Sequence, residues 1–400
     1  MSIVVQKYGG SSVADVTKIG QVADKVVATR RAGHDVVVVV SAMGKTTDGL
    51  LALARQASGE AEPPRRELDM LLSTGERVSM SLLSIAIQAR GLDAISFTGS
   101  QSGIITNDRH FDARILEVRP HRIEDELARG RIVIVAGYQG MSYRREITTL
   151  GRGGSDTTAV ALAAALDAER CEIYSDVDGV YSADPRVVPD AVHLPEIDHA
   201  VLQEMAECGA KVLNAQAVEW ARRAKIAIYA RATSDDWNDA AAAPRQTVVR
   251  TVAGESERRV RAVVSESNLV LGHLAASVDL GRVVAAAGEA GLALDEATFG
   301  PSGGTFVLPL LNVPDWARAR AVFIDGAGPG VDLDEGLASV SVVGDGLSAT
   351  HESLHRFLST LAALGVAPRA LSSGPLRIAA VVAAADVART TQAVHAAFVR

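Results

Sequence analysis

A glycine-rich turn that runs directly into an alanine-rich apolar segment constrains this chain more than any other feature. It occupies residues 148–166, TTLGRGGSDTTAVALAAAL, and a run with the pattern of a buried strand, Ile132–Ala136, precedes it. The lengths and compositions of these two apolar runs predict a strand and a helix. The sequence therefore predicts a unit made of a strand, a connecting segment, a glycine turn and a helix.

The residues of the turn suit an anion-binding site. Gly151, Gly153 and Gly154 let the backbone approach a ligand closely, and Ser155 and Asp156 suit the N-cap of the helix. The first N–H groups of the helix would then point at a phosphate or a carboxylate. The turn is not a P-loop, because no Gly-Lys-Ser/Thr follows the glycines, and it lacks the GxGxxG spacing of a dinucleotide fold.

Arg152 decides between two interpretations of this turn. The alternative is a tight turn with an N-cap, since glycine before a helix is common. A guanidinium among flexible glycines is poorly placed for core packing and well placed to bind a carboxylate through two hydrogen bonds. The sequence therefore favours a binding site.

Length, charge and cysteine usage limit the classes of function. The chain has 400 residues, which suggests about two or three domains, and a formal net charge of -8 without a basic run. We expect small-molecule chemistry and no nucleic-acid partner because of this charge balance. We also expect no membrane partner, because the apolar run around residues 36–40 is far shorter than the roughly 20 residues of a spanning helix. Cys171 and Cys208 lack metal-ligand spacing, so we interpret both as structural thiols of a cytoplasmic protein without a metal site of its own.

Two further predicted strands deliver polar residues to their carboxyl ends, where an open α/β sheet binds ligands. The first leads into Lys7, Gly9, Gly10 and Ser11, and a later valine-rich strand leads into the polar turn at residues 41–48. A lysine beside glycines and serines can place a positive charge and several donors around a phosphate. The same lysine would also suit a solvated turn.

Charged residues occur in two other segments. Glu76 is followed by an arginine near the start of a helix predicted at residues 68–89, and such a pair is usually solvated. A segment that begins at Asp176 has two aspartates on either side of one valine, followed by Tyr181 and Arg186. The carboxylates suit a divalent ion held through water, and the tyrosine and arginine suit a nucleotide. An Asp-Gly turn is the alternative interpretation.

Six of these segments coincide with motifs of a known family. They are KYGGSS at residues 7–12, SAMGKTTD at 41–48, LLSTGE at 71–76, TTLGRGGSDTTA at 148–159, DVDGVYSADPR at 176–186 and GAKVL at 209–213. Together they resemble aspartate kinase, in the amino acid kinase superfamily. One such motif would be unspecific, whereas six in order are specific. The resemblance implies the amino acid kinase fold, a mainly parallel sheet between helix layers, over residues 1–235.

The resemblance implies a phosphotransferase that moves the γ-phosphoryl of ATP onto the side-chain carboxylate of L-aspartate, giving 4-phospho-L-aspartate. Lys7 resembles the lysine that stabilises the transferring phosphoryl, and Asp156 resembles the aspartate that orients it. Arg152 is implied to bind the α-carboxylate of the substrate and Glu76 its α-ammonium. The full implied substrate-binding set is Ser41, Thr47, Glu76, Arg152, Gly153, Gly154 and Ser155. The implied ATP-binding set is Lys7, Gly9, Gly10, Ser11, Ser175, Asp176, Tyr181, Arg186 and Lys211.

Phosphoryl transfer agrees with residues of these types. It requires in-line positioning and charge neutralisation, which a lysine, backbone N–H groups and Mg²⁺ provide. The attacking carboxylate is already ionised at neutral pH, so no general base is needed. We therefore expect ATP with Mg²⁺ as co-substrate and metal, and no tightly bound organic cofactor.

The C-terminal part contains a weak internal repeat, in which the segments of residues 288–318 parallel those of residues 362–389. Each copy has the pattern strand, helix, strand, strand, helix, which predicts two copies of one small α/β module. In the family this place holds tandem ACT domains, which bind amino-acid effectors and form dimers. The resemblance thus implies ACT-like modules at residues 260–325 and 336–400, and a homodimer formed through them.

The chain departs from the family pattern in two regions. GAKVL is followed by Asn214 instead of His-Pro, which affects the adenine side of the site. The loops at residues 275–280 and 299–302 lack the Asp-Arg-Pro-Gly-like turn and the Gln-Asn pair that hold an inhibitory amino acid. Burying a zwitterion without partners costs several kcal/mol, so we expect a feedback-insensitive enzyme. A shifted effector site at Asp279 and Asp295 is the alternative.

Two other functions stay open. One is a kinase for a modified aspartate or another small amino-acid carboxylate, because loops that no motif fixes shape that end of the pocket. The other is a catalytically weakened regulatory homologue. Retention of Lys7, Glu76, Arg152 and Asp156 argues against the second.

Overall fold

The computed structural model describes residues 1–59, 61–210, 213–235, 244–251 and 260–399. The chain forms two compact units: the first comprises Met1–Val180, His193–Gln203 and Val212–Ala253, and the second comprises Tyr181–Val192, Glu204–Lys211 and Gly254–Arg400. The domain boundaries that the sequence suggests, 1–235, 260–325 and 336–400, stay predictions.

The strands and helices up to residue 251, in chain order, are β1 (Ile3–Tyr8), α1 (Val16–Arg31), β2 (Asp35–Val40), α2 (Thr46–Ser58), α3 (Arg65–Leu72), α4 (Thr74–Gln88), β3 (Ala94–Phe97), β4 (Ile104–Thr106), β5 (Ile115–Val118), α5 (His121–Ala128), β6 (Ile132–Ala136), β7 (Gln139–Ser142), β8 (Ile147–Thr149), α6 (Gly154–Ala165), β9 (Arg170–Ser175), β10 (Val180–Tyr181), β11 (His193–Leu194), β12 (Glu196–Ile197), α7 (His199–Glu207), α8 (Ala215–Ala224), β13 (Ile228–Ala232) and β14 (Gln246–Val249). Those from residue 260 onward are β15 (Val260–Leu274), α9 (Leu280–Ala290), β16 (Asp295–Gly300), β17 (Gly303–Pro309), α10 (Trp316–Ala327), β18 (Val331–Gly344), α11 (Glu352–Ala363), β19 (Ala370–Ser373), β20 (Arg377–Ala383) and α12 (Val387–Phe398).

An eight-stranded sheet in the order β12-β14-β13-β9-β1-β2-β6-β3 organises the first unit. Its central strands β9, β1, β2 and β6 are parallel neighbours, whereas β13 and β14 pair antiparallel. The five valines of β2 are all buried, as expected for a parallel strand that is covered on both faces. The mainly parallel sheet predicted from the sequence is confirmed.

Helices cover the two faces of this sheet. On one face α1 and α4 share a core with Tyr8 and with alternate valines of β2. On the other face α6 packs against β1, β2 and β9. Residues 154–163 of α6 are all buried, which explains why this helix is alanine-rich and apolar on every side. Because side chains alternate along a strand, β1 directs Tyr8 to the first face and Lys7 towards α6.

Three local expectations from the sequence were wrong. The predicted helix at residues 68–89 is two helices, α3 and α4, which meet at Ser73. At this break, Gln139 donates a side-chain hydrogen bond of 2.9 Å to the carbonyl of Ser73. In a continuous helix, that carbonyl would accept a hydrogen bond from a backbone N–H of the same helix. The connection predicted at residues 98–106 contains β4, which pairs with β5 and β7 in a small separate sheet. The third wrong expectation concerned the N-cap of α6, which is Gly153 in the glycine turn.

The stretch Arg65–Gln88 is the one part of the described chain that is long and apolar enough to cross a membrane by length and composition. Half of its most apolar window is buried inside the protein. It also contains two buried carboxylates, Asp69 and Glu76. These features are those of a core helix pair.

The second unit contains one six-stranded antiparallel sheet in the order β16-β17-β15-β18-β20-β19. The order β15-α9-β16-β17-α10 is repeated by β18-α11-β19-β20-α12. Each half has its own core: Phe306 and Phe323 lie in the first, and Phe357 and Leu361 lie in the second. The repeated pattern of strand, helix, strand, strand, helix is therefore present in the structure.

Candidate active site

A buried ion pair joins the first strand to the helix after the glycine turn. Lys7 Nζ lies 2.7 Å from Asp156 Oδ1, and the two residues are 8% and 7% exposed. Lys7 is near the carboxyl end of β1, and Asp156 is in the first turn of α6. An ammonium group this far from water needs a partner, so the carboxylate fixes the direction of the lysine.

The glycine turn reaches α6 through left-handed backbone conformations. Gly151 has a φ of 70° and Gly153 a φ of 72°, values that favour glycine. Gly153 is the N-cap of α6, so the prediction that Ser155 and Asp156 provide the cap was wrong. Both residues lie inside the first helical turn and are buried, because the left-handed glycine starts the helix earlier than the sequence suggested.

The turns after β1 and β2 pack directly against each other. Gly44 donates its backbone N–H to the carbonyl of Gly10 at 3.0 Å, and a Cβ added to Gly10 would lie 2.9 Å from the carbonyl oxygen of Ala42. Gly9 donates its N–H to the carbonyl of Tyr174 in β9 at 3.1 Å. The carboxyl ends of β1, β2 and β9 thus meet at one edge, as the sequence predicts for a ligand site.

Glu76 lies under the turn that follows β2. Its Oε1 accepts a hydrogen bond of 3.1 Å from the backbone N–H of Ala42, whereas its Oε2 is buried and has no hydrogen-bond partner among the described residues. The residue is 3% exposed, and burial raises its pKa to about 7. A buried carboxylate oxygen without a partner costs free energy, so this position suits a cationic ligand group.

Tyr138 and Asp69 border this region, and the sequence interpretation missed both. Tyr138 has a φ of 68°, and burial raises its pKa, with the charges of Glu76 and Asp69 acting in the same direction. Asp69 is fully buried and accepts hydrogen bonds from Thr149 Oγ1 at 2.5 Å and from the N–H of Phe111 at 3.1 Å. Nδ1 of His110 lies 2.6 Å from its other carboxylate oxygen. Asp69 therefore ties α3 to the end of β8, immediately before the glycine turn.

The remaining predicted substrate residues lie around the same strand ends. Ser41 follows β2, and its carbonyl accepts a hydrogen bond of 2.7 Å from Ser79 Oγ. Thr47 is in the first turn of α2 and is partly exposed. Arg152 is exposed, and its carbonyl accepts a hydrogen bond of 2.8 Å from Asn214 Nδ2. Gly154 is buried between Leu150 and Tyr138.

The predicted nucleotide residues are divided between the units. Ser175 ends β9 and Asp176 follows it, in the first unit, which also contains Gly9 and the exposed Ser11. Tyr181 and Arg186 belong to the second unit, where the guanidinium of Arg186 makes two hydrogen bonds to Asp184, at 2.9 and 2.7 Å. Lys211 lies outside the described residues.

No group of three or more histidine, cysteine, aspartate or glutamate residues suited to hold a metal ion occurs in the described ranges. Cys171 and Cys208 are buried, and burial raises both thiol pKa values, that of Cys208 to about 11.

The fold and the site define an amino acid kinase. The model of the amino acid kinase family matches residues 2–230, and that of an ACT domain matches residues 340–398. The aspartokinase of Mycolicibacterium smegmatis is 41% identical to this chain over 413 residues, and the match covers 100% of this chain and 96% of the relative. The aspartokinase of Corynebacterium glutamicum is 40% identical over 414 residues, and the match again covers 100% of this chain and 96% of the relative. The crystal structure of Escherichia coli aspartokinase III in complex with aspartate and ADP (R-state) is similar with a TM-score of 0.86 and 26% identity, and all of both chains is covered. This chain belongs to the aspartokinase family, and it is a kinase.

The family, the fold class and the enzyme class predicted from the sequence are thereby confirmed. The roles of the individual residues stay predictions.

Proposed function

We propose that this kinase transfers the γ-phosphoryl of ATP to the side-chain carboxylate of L-aspartate, giving 4-phospho-L-aspartate. The observation that carries the proposal is the buried Lys7–Asp156 ion pair beside the glycine turn. The similar aspartokinase III structure contains aspartate and ADP, the substrate and product of this reaction. Its similarity extends over the whole chain.

Lys7 neutralises the charge that develops on the transferring phosphoryl, and Asp156 keeps its ammonium aimed at that position. Gly9, Gly10 and Ser11 surround the phosphates together with Ser175 and Asp176. The substrate carboxylate attacks in line and is already ionised, so no protein base takes part. Mg²⁺ would be supplied with the nucleotide, where it would neutralise part of the phosphate charge beside Lys7.

The amino acid is held at both of its charged ends. Glu76 Oε2, buried and without a partner among the described residues, pairs with the α-ammonium. Arg152, on the exposed side of the turn, binds the α-carboxylate, with Gly153, Gly154 and Ser155 around it and Ser41 and Thr47 nearby. A free ammonium supplies the cation that Glu76 lacks, which favours aspartate over substrates whose amino group is blocked.

Tyr181, Arg186 and Lys211 complete the predicted nucleotide set. For Arg186 this requires that the guanidinium contacts the nucleotide in addition to, or instead of, Asp184. Alanine at Arg186 or Lys211 should raise KM for ATP more than KM for aspartate. An unchanged KM for ATP in both variants would remove them from the site.

The proposed enzyme is insensitive to feedback inhibition, forms homodimers through its βαββα modules and acts in the cytoplasm. Asp279 is the N-cap of α9, where its Oδ1 accepts hydrogen bonds from the N–H groups of Gly281 and Arg282. That structural role speaks against Asp279 as a partner for an effector ammonium. Asp295 is exposed at the start of β16 and is the residue that remains for the alternative effector site.

Turnover with ATP and L-aspartate tests the function directly. Activity should require Mg²⁺ or Mn²⁺, vanish in chelator, and be far lower with glutamate or N-acetyl-L-aspartate. Preference for an amino-blocked aspartate would favour the alternative substrate class, and no turnover with any acceptor would favour the regulatory homologue.

A further inference from the structure

Asn214, the residue at which the chain departs from the family pattern, contacts the glycine turn. Its Nδ2 donates a hydrogen bond of 2.8 Å to the carbonyl of Arg152. Its Oδ1 accepts hydrogen bonds from Thr157 Oγ1 at 3.1 Å and from the backbone N–H of Gln216 at 2.8 Å. Asn214 is also the N-cap of α8, which packs against α6.

The three hydrogen bonds fix the orientation of the amide group. The N–H of Gln216 can only donate and the carbonyl of Arg152 can only accept, so rotating the amide by half a turn would break both of these hydrogen bonds. Both polar atoms of the amide are therefore used, and the side chain holds α6, α8 and the turn together.

Arg152 lies between two glycines, and the second of them, Gly153, rests against the asparagine. Gly151 and Gly153, on either side, both have left-handed φ values and no side chain to pack. A Cβ added to Gly153 would lie 2.7 Å from Asn214 Cβ, so the backbone of the turn rests directly against the asparagine. The backbone of Arg152 is thus held from the carbonyl side, while its side chain lies on the exposed side of the turn.

We propose that Asn214 is a positioning residue for aspartate: it holds the backbone of Arg152 so that the guanidinium meets the substrate α-carboxylate. The inference rests on the proposed role of Arg152. It assigns Asn214 to the amino-acid end of the site, whereas the resemblance to the family associated this position with the adenine side.

Asn214→Ser separates this role from helix capping. Serine is also a favoured N-cap and keeps an acceptor for the N–H of Gln216, but it has no amide donor for the carbonyl of Arg152 and adds no charge. We expect KM for aspartate to rise about tenfold, the effect of losing about 1.4 kcal/mol of binding free energy. KM for ATP should change less than about twofold, and the melting temperature should fall by less than about 2 °C.

Two further variants complete the experiment. Asn214→Ala loses the cap as well as the tether, so it should show the same rise in KM for aspartate with a larger fall in melting temperature. Gln216→Ala keeps the backbone N–H and should leave every parameter unchanged. If Asn214→Ser leaves KM for aspartate unchanged, or raises KM for ATP equally, the positioning role is refuted. Wild-type enzyme without turnover on aspartate would instead refute the proposed function.

Discussion

Replacing Glu76 with glutamine should stabilise the ligand-free enzyme and weaken its aspartate site. Glu76 is 3% exposed, and burial raises its pKa from an ordinary value of 4.5 to about 7. Only the ionised form can pair with a substrate ammonium. The ionised carboxylate therefore destabilises the folded state of the ligand-free protein, and in its proposed role the substrate ammonium would offset that cost.

The pH dependence follows from the direction of this change. A carboxyl group whose pKa is higher in the folded protein than in the unfolded chain binds protons on folding, so its contribution is most favourable below pH 4.5 and is lost as the pH rises through about 7. The difference of about 2.5 between the two pKa values corresponds to about 3 kcal/mol at pH 8. Glutamine cannot ionise. The free energy of unfolding of Glu76→Gln should therefore exceed that of the wild type by about 3 kcal/mol at pH 8, and by about 1 kcal/mol or less at pH 5.

Urea unfolding at the two pH values measures this difference, and initial rates measure the other half of the prediction. At pH 8, KM for aspartate should rise by a factor that corresponds to about 2–5 kcal/mol, because the ammonium loses its partner. Glu126→Gln is the matched control. Glu126 is also buried, but its two carboxylate oxygens pair with Arg129 and Arg131, each at 2.7 Å. Because the variant loses these ion pairs, it should be less stable than the wild type at pH 8. Equal stability of wild type and Glu76→Gln at pH 8, or an unchanged KM for aspartate, would refute the reasoning.

Three other predictions concern the phosphoryl site, the substrate carboxylate and regulation. Lys7→Ala should lower kcat by roughly 10²–10³-fold with a smaller change in nucleotide affinity, and near-normal turnover would remove Lys7 from catalysis. Arg152→Ala should chiefly raise KM for aspartate, at a cost of about 2–5 kcal/mol, and an equal effect on KM for ATP would contradict its role. Initial rates with lysine, threonine and both together should be unaffected at millimolar concentrations, whereas half-inhibition below about 1 mM, near −4 kcal/mol of binding free energy, would show an effector site in the modules.

The sequence predicts the edge of the sheet at which the candidate site lies because that edge is built from local signals. A glycine turn before a helix, a lysine at the end of a buried strand and a polar turn after a valine strand each occupy a few consecutive residues. The carboxyl ends of parallel strands then bring them together without further information. The parallel sheet was predictable on these grounds, the family from six motifs in order, and the C-terminal modules from an internal repeat.

Contacts between distant segments could not be predicted in the same way. Asp69 occupies an ordinary polar position in its helix, and only the fold shows that Thr149, 80 residues later, donates to it. Gln139 donates to the carbonyl at the break between α3 and α4, and Asn214 donates to the carbonyl of Arg152, although the two members of each pair are far apart in the sequence. The N-cap of α6 was misassigned because the preference of serine and aspartate for that position is weaker than the need for a left-handed residue at Gly153.

Trapping the acyl phosphate tests whether this enzyme phosphorylates the side-chain carboxylate of L-aspartate. Purified enzyme is incubated with Mg²⁺-ATP, hydroxylamine and either L-aspartate or N-acetyl-L-aspartate, and the hydroxamate is measured for the wild type and for Lys7→Ala. We expect ATP-dependent hydroxamate from L-aspartate, very little from the N-acetyl compound, and a loss of roughly 10²–10³-fold in the variant. Hydroxamate from the blocked compound at an equal or higher rate, or none from L-aspartate, would contradict it.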